Sequence, residues 1–584
     1  IKEELEIKDY IKNINNETED VIKILEELNF YNKKEQRADW WSHFSNLQKD
    51  TEDLIEDTNC LGGLRKISEV ESGPYKIINC NYPDQITKMR DGEYVLDQTG
   101  SNRVLITQIS YSKNEVTLRI RKDKPVPFSL TPQTPLNTRA IDSAVADFIK
   151  GYDFTNSYPA IKQFLRREKT KLKNDIKIDE KSSKELIEII KSMNNSYLVL
   201  QGPPGTGKTY TSSRIIVDLL RNNFKVAIVC HSHKAIINLV EAIDSYSSEI
   251  GYEFRGAYNP GSRKQDLEFK NIEVTNTSKI DSKSYDLIAG TAWALSNQVH
   301  RKNSEKEKNF DYIFFDEAGQ LSISKLIASS MSSKNIVMIG DHMQLPQPTA
   351  GNLDGESTYS PIEYLLKEKN TISDHNGIFL DRTFRMHQNI CDFISKSFYE
   401  NRLISDQTTH NQQVILQDGK SVENGIYLTD LDHNDYSVQN MEEVKYIKKI
   451  YDKLILGNWI DREKKVSEIS AEDILVVSPF NAQVNLIKQS LGENALVGTI
   501  DNFQGQEAPI VIISYVSSNP NNIPRGSDFF FDYRRLNVSL SRAKCLAIII
   551  LNKELLDYHC NTIEDMERVN YFCKLKSFEK NFLK

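Results

Sequence analysis

The segment Gly202-Pro203-Pro204-Gly205-Thr206-Gly207-Lys208-Thr209 constrains this chain more than any other eight residues. Its spacing, G-x-x-x-x-G-K-T, belongs to a loop whose backbone N–H groups close around phosphate oxygens. Glycines permit that close approach, and the N-terminus of a following helix adds a favourable dipole. The apolar run Tyr197–Gln201 reads as a strand before it, and a helical stretch follows. This strand–loop–helix context separates a phosphate site from an ordinary Gly/Pro-rich turn. Lys208 is expected to reach the β- and γ-phosphates of a nucleotide and Thr209 to hold Mg²⁺. The nucleotide-contacting set is Gly202, Pro203, Gly205, Thr206, Gly207, Lys208, Thr209 and Tyr210.

The surrounding texture is α/β. The apolar runs Tyr197–Gln201, Val226–Cys230, Asp286–Gly290, Tyr312–Phe315 and Ile336–Ile339 are separated by helical stretches, as buried parallel strands are. A second series follows at Gly425–Leu428, Ile474–Ser478, Ile510–Tyr515 and Leu546–Leu551. Two tandem blocks, each with a parallel sheet, are therefore expected. Upstream, residues 1–58 read as helical, with Val21, Ile24, Leu25 and Leu28 at helical spacing, Asp39-Trp40-Trp41 interrupting the pattern and Leu61-Gly62-Gly63-Leu64 ending it. Alternating runs from about 64 to 130 predict a small antiparallel barrel. Lys124–Pro135, with four prolines, predicts an extended linker. Helix returns over 139–193. The expected divisions are 1–58, 59–138, 139–195, 196–375 and 376–584.

At 584 residues the chain is too long for one core. Its net charge of −8 excludes a globally basic nucleic-acid binder. A channel with local positive potential remains compatible with it. The longest apolar run, Leu546–Leu551, is far short of the ~18 residues a spanning helix needs. The seven cysteines are scattered without a CxxC, which fits free thiols in a reducing cytoplasm rather than a zinc or iron–sulfur site. The chain begins at Ile1, so a preceding segment is left open.

Asp316-Glu317 ends the run Tyr312–Phe315. A lone acidic pair is ordinarily surface charge, but at a strand end in this block it falls beside the phosphate loop. Asp316 is then expected to hold Mg²⁺ and Glu317 to orient and deprotonate the attacking water. Asp316-Glu317-Ala318-Gly319-Gln320, Gly340-Asp341-His342-Met343-Gln344-Leu345-Pro346, Arg382-Thr383-Phe384-Arg385-Met386-His387 with Phe398-Tyr399-Glu400, Val497 to Glu507, and Arg534 to Lys544 follow in order. They resemble motifs II to VI of superfamily 1 helicases, in the nonsense-mediated-decay helicase-like group of the 5′→3′ branch. The resemblance covers about 197–552.

What the resemblance implies is specific. Gln344 would sense the γ-phosphate, Arg385 and Arg542 would reach the site from the second block, Glu507 would lie near the ribose, and Phe384 would stack on adenine where the family usually has tyrosine. Arg534 is expected to be surface charge. On the nucleic-acid side Ser232, His233, Thr291, Trp293, Pro479 and Thr499 match strand-contacting positions; Trp293 reads equally as a core tryptophan. The upstream glutamine that reads adenine is missing, with Lys184 or Glu185 near its place. The segment 245–285 is short, so a helical insertion of eukaryotic relatives is expected to be reduced or absent. The barrel and the helices after it resemble the barrel-and-stalk insertion of the family. Trp40-Trp41-Ser42-His43-Phe44 through Leu64 also resembles the junction of bacterial RecB-like nuclease–helicase fusions, which would put a nuclease before Ile1. The expected function is an ATP- and Mg²⁺-dependent translocase or helicase, 5′→3′ on single-stranded DNA and monomeric. An RNA or RNA–DNA hybrid helicase and an ATP-gated clamp stay open.

Overall fold

The computed structural model describes residues 2–111, 113–153, 157–173, 183–261, 267–275, 283–296, 308–347, 353–503, 505–520 and 523–583. The chain divides into a unit of Glu27–Ala146 with Pro348–Gly355, and a unit of Ile1–Glu26, Asp147–Gln347 and Glu356–Lys584.

In the smaller unit, alternating sequences make six antiparallel strands: β1 Arg65–Ser72, β2 Tyr75–Asn81, β3 Tyr94–Asp97, β4 Arg103–Ser110, β5 Glu115–Arg121 and β6 Leu130–Thr131, ordered β1-β2-β5-β4-β3-β6. Along β2, β4 and β5 alternate residues face inward, and Ile78, Cys80, Val104, Ile106, Val116, Leu118 and Ile120 are all buried, whereas β1 is exposed along its length. The sheet closes on itself. Leu61 and Leu130 exchange backbone hydrogen bonds of 3.0 and 2.8 Å, and Leu64 N–H donates to Phe128 O at 2.8 Å. This closure corrects the expected linker, because β6 lies within Lys124–Pro135. Leu130 and Thr131 sit between its prolines, so both backbone groups of Leu130 are free to pair. A second correction concerns Asp39-Trp40-Trp41, which lies inside the helix Arg37–Gln48 rather than breaking it. Asp39 favours the first turn electrostatically, and Trp41 is simply 75% exposed.

In the larger unit the first sheet holds β7 Tyr197–Gln201, β8 Val226–Cys230, β9 Gly256–Tyr258, β10 Ile272–Val274, β11 Leu287–Gly290, β12 Phe310–Asp316, β13 Ser333–Gly340 and β14 Gly377–Phe379. Their order is β10-β9-β11-β8-β12-β13-β7-β14, and every pairing is parallel. β15 Arg382–Thr383 pairs with β16 Ile404–Ser405. β17 Gln413–Ile415, β19 Asn458–Ile460 and β20 Val466–Glu468 form a small sheet of their own. The second parallel sheet is β18 Gly425–Asp430, β21 Ile474–Val477, β22 Leu496–Gly498, β23 Ala508–Ser514 and β24 Ala543–Leu551, ordered β18-β24-β23-β21-β22. These are two RecA-like α/β blocks. Between 250 and 291 the described residues form β9, β10 and β11 and no helix; 262–266 and 276–282 lie outside the described residues. Helices Arg139–Lys150, Pro159–Leu165 and Ser183–Lys191 occupy the stretch read as helical before β7.

Because the strands run parallel, their C-terminal ends share one edge. The loops after β7, β12, β13 and β14, which carry the phosphate loop, Asp316-Glu317, Asp341–Gln344 and Arg382–Arg385, follow four adjacent strands on that edge. Ligands bind parallel α/β sheets at such an edge. β14 reaches β7 only because Gly377 has no side chain: a Cβ there would strike the Val199 carbonyl oxygen and lie 2.8 Å from Val199 Cβ. Gly377→Ala is therefore expected to destabilise this edge by about 1–3 kcal/mol. A lowered midpoint for the thermal transition of the nucleotide-binding block checks this, and an unchanged midpoint would mean the strand relaxes freely.

Candidate nucleotide site and nucleic-acid interface

The phosphate loop links β7 to the helix Lys208–Arg221. Gly205 and Gly207 sit at φ +77° and +75°, the left-handed region that side-chain-bearing residues avoid. Lys208 Nζ donates to Gly202 O at 2.6 Å, holding the ammonium inside the loop, and Thr206 Oγ1 donates to Pro203 O at 2.8 Å. Thr209 and Tyr210 are exposed on the first helical turn, and the Arg214 guanidinium lies 3.2 Å from the Tyr210 ring centroid.

Asp316 is buried at the C-terminal end of β12 and accepts from its neighbour's backbone, Glu317 N–H to Oδ1 at 3.0 Å. Burial and the adjacent Glu317 carboxylate raise its pKa, while Lys208 opposes the rise. A buried acid disfavoured as an anion is suited to a divalent cation, which supplies the missing positive charge. Thr209 and Asp316 are the residues that would hold Mg²⁺, which usually takes few protein ligands beside phosphates. Glu317 itself adopts φ +54°, an uncommon conformation for a residue with a side chain.

Residues after β14 cover the phosphate loop. Thr383 Oγ1 donates to Pro204 O at 3.0 Å and Phe384 N–H to Gly205 O at 2.9 Å. Phe384 is 42% exposed and Arg462 Nη1 donates to its carbonyl at 3.1 Å. Arg385 is anchored by Nε to Glu507 Oε2 at 2.5 Å and by Nη1 to Ser541 O at 3.0 Å. Burial would raise Glu507, but the charges of Arg385 and Lys544 outweigh it and hold the carboxyl below its usual range. Arg542 is only 4% exposed. Its Nη1 donates to Gln506 O at 3.3 Å, yet its buried Nε has no partner. Burial and the neighbouring Arg385 charge pull it down to about 10, against the pull of Glu317 and Glu507. A permanently cationic donor left unmatched fits an anionic ligand such as the γ-phosphate.

Two family models, each described as an AAA domain, match residues 186–350 and 358–554. The DNA polymerase alpha-associated DNA helicase A of Schizosaccharomyces pombe is 26% identical over 64% of this chain and 65% of its own length. The DNA replication ATP-dependent helicase/nuclease DNA2 of Xenopus laevis is 25% identical over 61% of this chain and 36% of its own. Helicase sen1 of S. pombe is 28% identical over 49% and 17%. The chain belongs to superfamily 1 of the helicases, in the nonsense-mediated-decay helicase-like group. It spans less than two thirds of the curated relatives it matches. The solved arterivirus nonstructural protein 10 helicase with DNA aligns over 80% of this chain and 76% of its own, at 12% identity and a TM-score of 0.40.

Motifs II to VI of this superfamily 1 member thus meet around one loop, except for Gln504, which lies outside the described residues. Gln344 is buried and donates to Asp341 Oδ2 at 3.1 Å. Arg534 corrects the expectation of a surface charge. It is largely buried and pairs with Glu363 Oε1 at 2.5 Å, joining the helix Tyr533–Leu540 to the helix Pro361–Leu366. Sequence reading also passed over Arg462, which no motif contains, and over the roles of Asp341, Tyr399 and Asn537, although each stood inside a quoted motif. The nearest described residues to the missing adenine-reading glutamine, Lys184 and Glu185, lie on the helix Ser183–Lys191; residues 174–182 lie outside the described residues.

The strand-contacting candidates share the C-terminal edges of the two sheets. Ser232 is exposed after β8, but its hydroxyl caps the helix His233–Glu249 by accepting from Ala235 N–H at 3.2 Å. His233 Nδ1 lies 2.8 Å from Tyr258 OH, which fixes the ring. Thr291 and half-buried Trp293 follow β11, with Lys325 Nζ 5.1 Å from the indole centroid. Pro479 follows β21 and Thr499 follows β22, both half-buried. An aromatic face with a cation over it suits stacked bases and phosphate together.

Lys208→Ala is expected to abolish ATP hydrolysis with loss of nucleotide affinity, and Glu317→Gln to keep binding while turnover falls. Fluorescent-nucleotide titration beside a phosphate-release assay checks the pair. Wild-type turnover in Glu317→Gln would remove Glu317 from the base role.

Proposed function

We propose that this chain is an ATP-driven motor that moves 5′→3′ along single-stranded DNA and unwinds duplexes, hydrolysing ATP with Mg²⁺ between its two α/β blocks. The observation that carries it is that two arginines of the second block stand at the first block's site: Arg385 packs on the phosphate-loop residue Gly205, and buried Arg542 lies in the field of Glu317. Hydrolysis that needs both blocks turns each ATP into a relative movement of them, which a simple phosphatase does not require. Divisions near 196–375 and 376–584 give the two blocks, with 59–138 and 139–195 as barrel and stalk. DNA is favoured over RNA by two relatives named for DNA. A relative named helicase/nuclease, with the Trp40–Leu64 resemblance, supports a RecB-like nuclease as a partner in the same polypeptide. All seven cysteines are unpaired, five of them buried, which supports work in a reducing cytoplasm. Among the described residues no helix is long and apolar enough to cross a membrane. The motor acts as a monomer.

The strand is gripped through its backbone, by Ser232, His233, Thr291, Pro479 and Thr499, with Trp293 against a base, so sequence preference is slight. Affinity should fall steeply with salt despite the negative net charge. ATPase stimulation by single-stranded DNA and RNA, measured side by side over a salt series, tests substrate class and grip together. Duplexes with 5′ or 3′ tails test direction. Stimulation by RNA alone would replace DNA with RNA, and no stimulation by either would sink the motor reading. Arg542→Ala should keep ATP binding while turnover falls by about 10³-fold or more, the range of arginine fingers. Normal hydrolysis in that variant would leave only a generic nucleotidase.

A further inference from the structure

We infer that the buried hydroxyl of Tyr399 is a positioning group that couples the phosphate-sensing loop of the first block to the arginine-bearing helix of the second. The inference rests on the function proposed above. Asp341, fully enclosed just past β13, accepts three hydrogen bonds: from Met343 N–H at 3.2 Å, from Gln344 Nε2 at 3.1 Å and from Tyr399 OH at 2.6 Å. Tyr399 is completely buried at the end of the helix Gln388–Phe398, with its ring tilted 48° against Phe379 of β14. Its oxygen also accepts from Asn537 Nδ2 at 2.9 Å, and the same amide donates to Met343 O at 2.7 Å. Asn537 is buried on the helix Tyr533–Leu540, whose last turn runs directly into Ser541 and Arg542.

The bonds close a ring: Met343, Asp341, Tyr399, Asn537 and back to Met343. Gln344 hangs from the Asp341 oxygen that Tyr399 also holds. A hydroxyl is needed at the crossing because it donates to the carboxylate and accepts from the amide at once. Phenylalanine would fill the same space and satisfy neither. The group stays a donor, because burial and the adjacent Asp341 push the tyrosine pKa up. Shielded from water, the ring holds its members to one another, with Asn537 Oδ1 the one acceptor in it left without a partner. When Gln344 turns toward a γ-phosphate, the Asp341 oxygen is released from one of its two side-chain donors. The load falls on Tyr399 and through Asn537 on the helix that delivers Arg542. Glu363–Arg534 anchors that helix at its other end, so it pivots rather than slides.

The test uses Tyr399→Phe and, separately, Asn537→Ala in the full chain. With a non-hydrolysable ATP analogue, hydrogen exchange is followed in the helices Lys208–Arg221 and Tyr533–Leu540. In the wild type the analogue should protect both. In Tyr399→Phe the first should stay protected and the second should lose its analogue-dependent protection. Strand-stimulated kcat should fall by about tenfold or more with KM for ATP within about twofold. The two changes combined should cost no more than either alone, as members of one network do. Analogue-dependent protection of Tyr533–Leu540 unchanged in Tyr399→Phe, or kcat unchanged, overturns the coupling. A lowered melting temperature with equal losses of protection in both helices would make the role merely structural and overturn it too. If Tyr399→Phe does not fold, Asn537→Ala decides by the same readouts. Analogue protection absent from Lys208–Arg221 in the wild type would instead sink the ATP-site reading, and the coupling with it.

Discussion

Gly205 has no room for a side chain: a Cβ on it would lie 2.5 Å from both Arg385 Cβ and Thr383 Oγ1. The phosphate loop of the first block and the arginine segment that leads into the second therefore meet backbone to backbone. The contact is sealed by Phe384 N–H to Gly205 O and Thr383 Oγ1 to Pro204 O. Everything else at the site inherits its position from this approach. The loop glycine at positive φ turns its N–H groups toward the space where phosphates sit. Parallel strand order does the remaining work, since four adjacent strands deliver their loops to one edge.

The charges gathered there differ in how far they are compensated. Arg385 is matched by Glu507 and a carbonyl, and Glu507 in turn by Lys544. That cluster sets two cations on one carboxylate and is tied together by these contacts, suited to holding the edge of the site. Asp316 and Arg542 are the opposite case, a buried acid with a raised pKa and a buried guanidinium with an unmatched Nε. Under the function proposed above, a metal–triphosphate would complement both mismatches, with its cation set against the acid and its terminal phosphate against the arginine.

Much of this was legible in the residues themselves. The phosphate loop, the acid pair and the paired arginines announce themselves by spacing, and long strands by their unbroken apolar runs. What was illegible had physical reasons. β9, β10, β14 and β22 are three residues each, too short for any period to register. β6 hid among prolines because its two residues carry no alternation of their own. Arg534 looked like surface charge because its partner Glu363 is 171 residues away. The Asp341–Tyr399–Asn537 ring joins three motifs that sequence reading treats one at a time. Of the strand-contacting residues, Ser232 and His233 turn out to have local structural partners as well, so their spacing alone could not show how they are held.

The uneven compensation bears on why the site is split between two blocks. A single preformed pocket with a fully matched Arg542 would bind phosphate weakly, because the ligand would have to displace an existing partner. Leaving the Nε buried and unmatched costs about 1–3 kcal/mol in the empty protein. Under the function proposed above, a terminal phosphate would relieve that cost and so favour the closed arrangement with ATP over its product. The differential affinity of two arrangements for one ligand is all that a motor step requires. In this chain the asymmetry falls on the arginine that follows the helix Tyr533–Leu540, rather than on Arg385, whose partners are already in place. Arg385 therefore defines where the blocks touch, and on the proposed function Arg542 is the group left to register what lies between them.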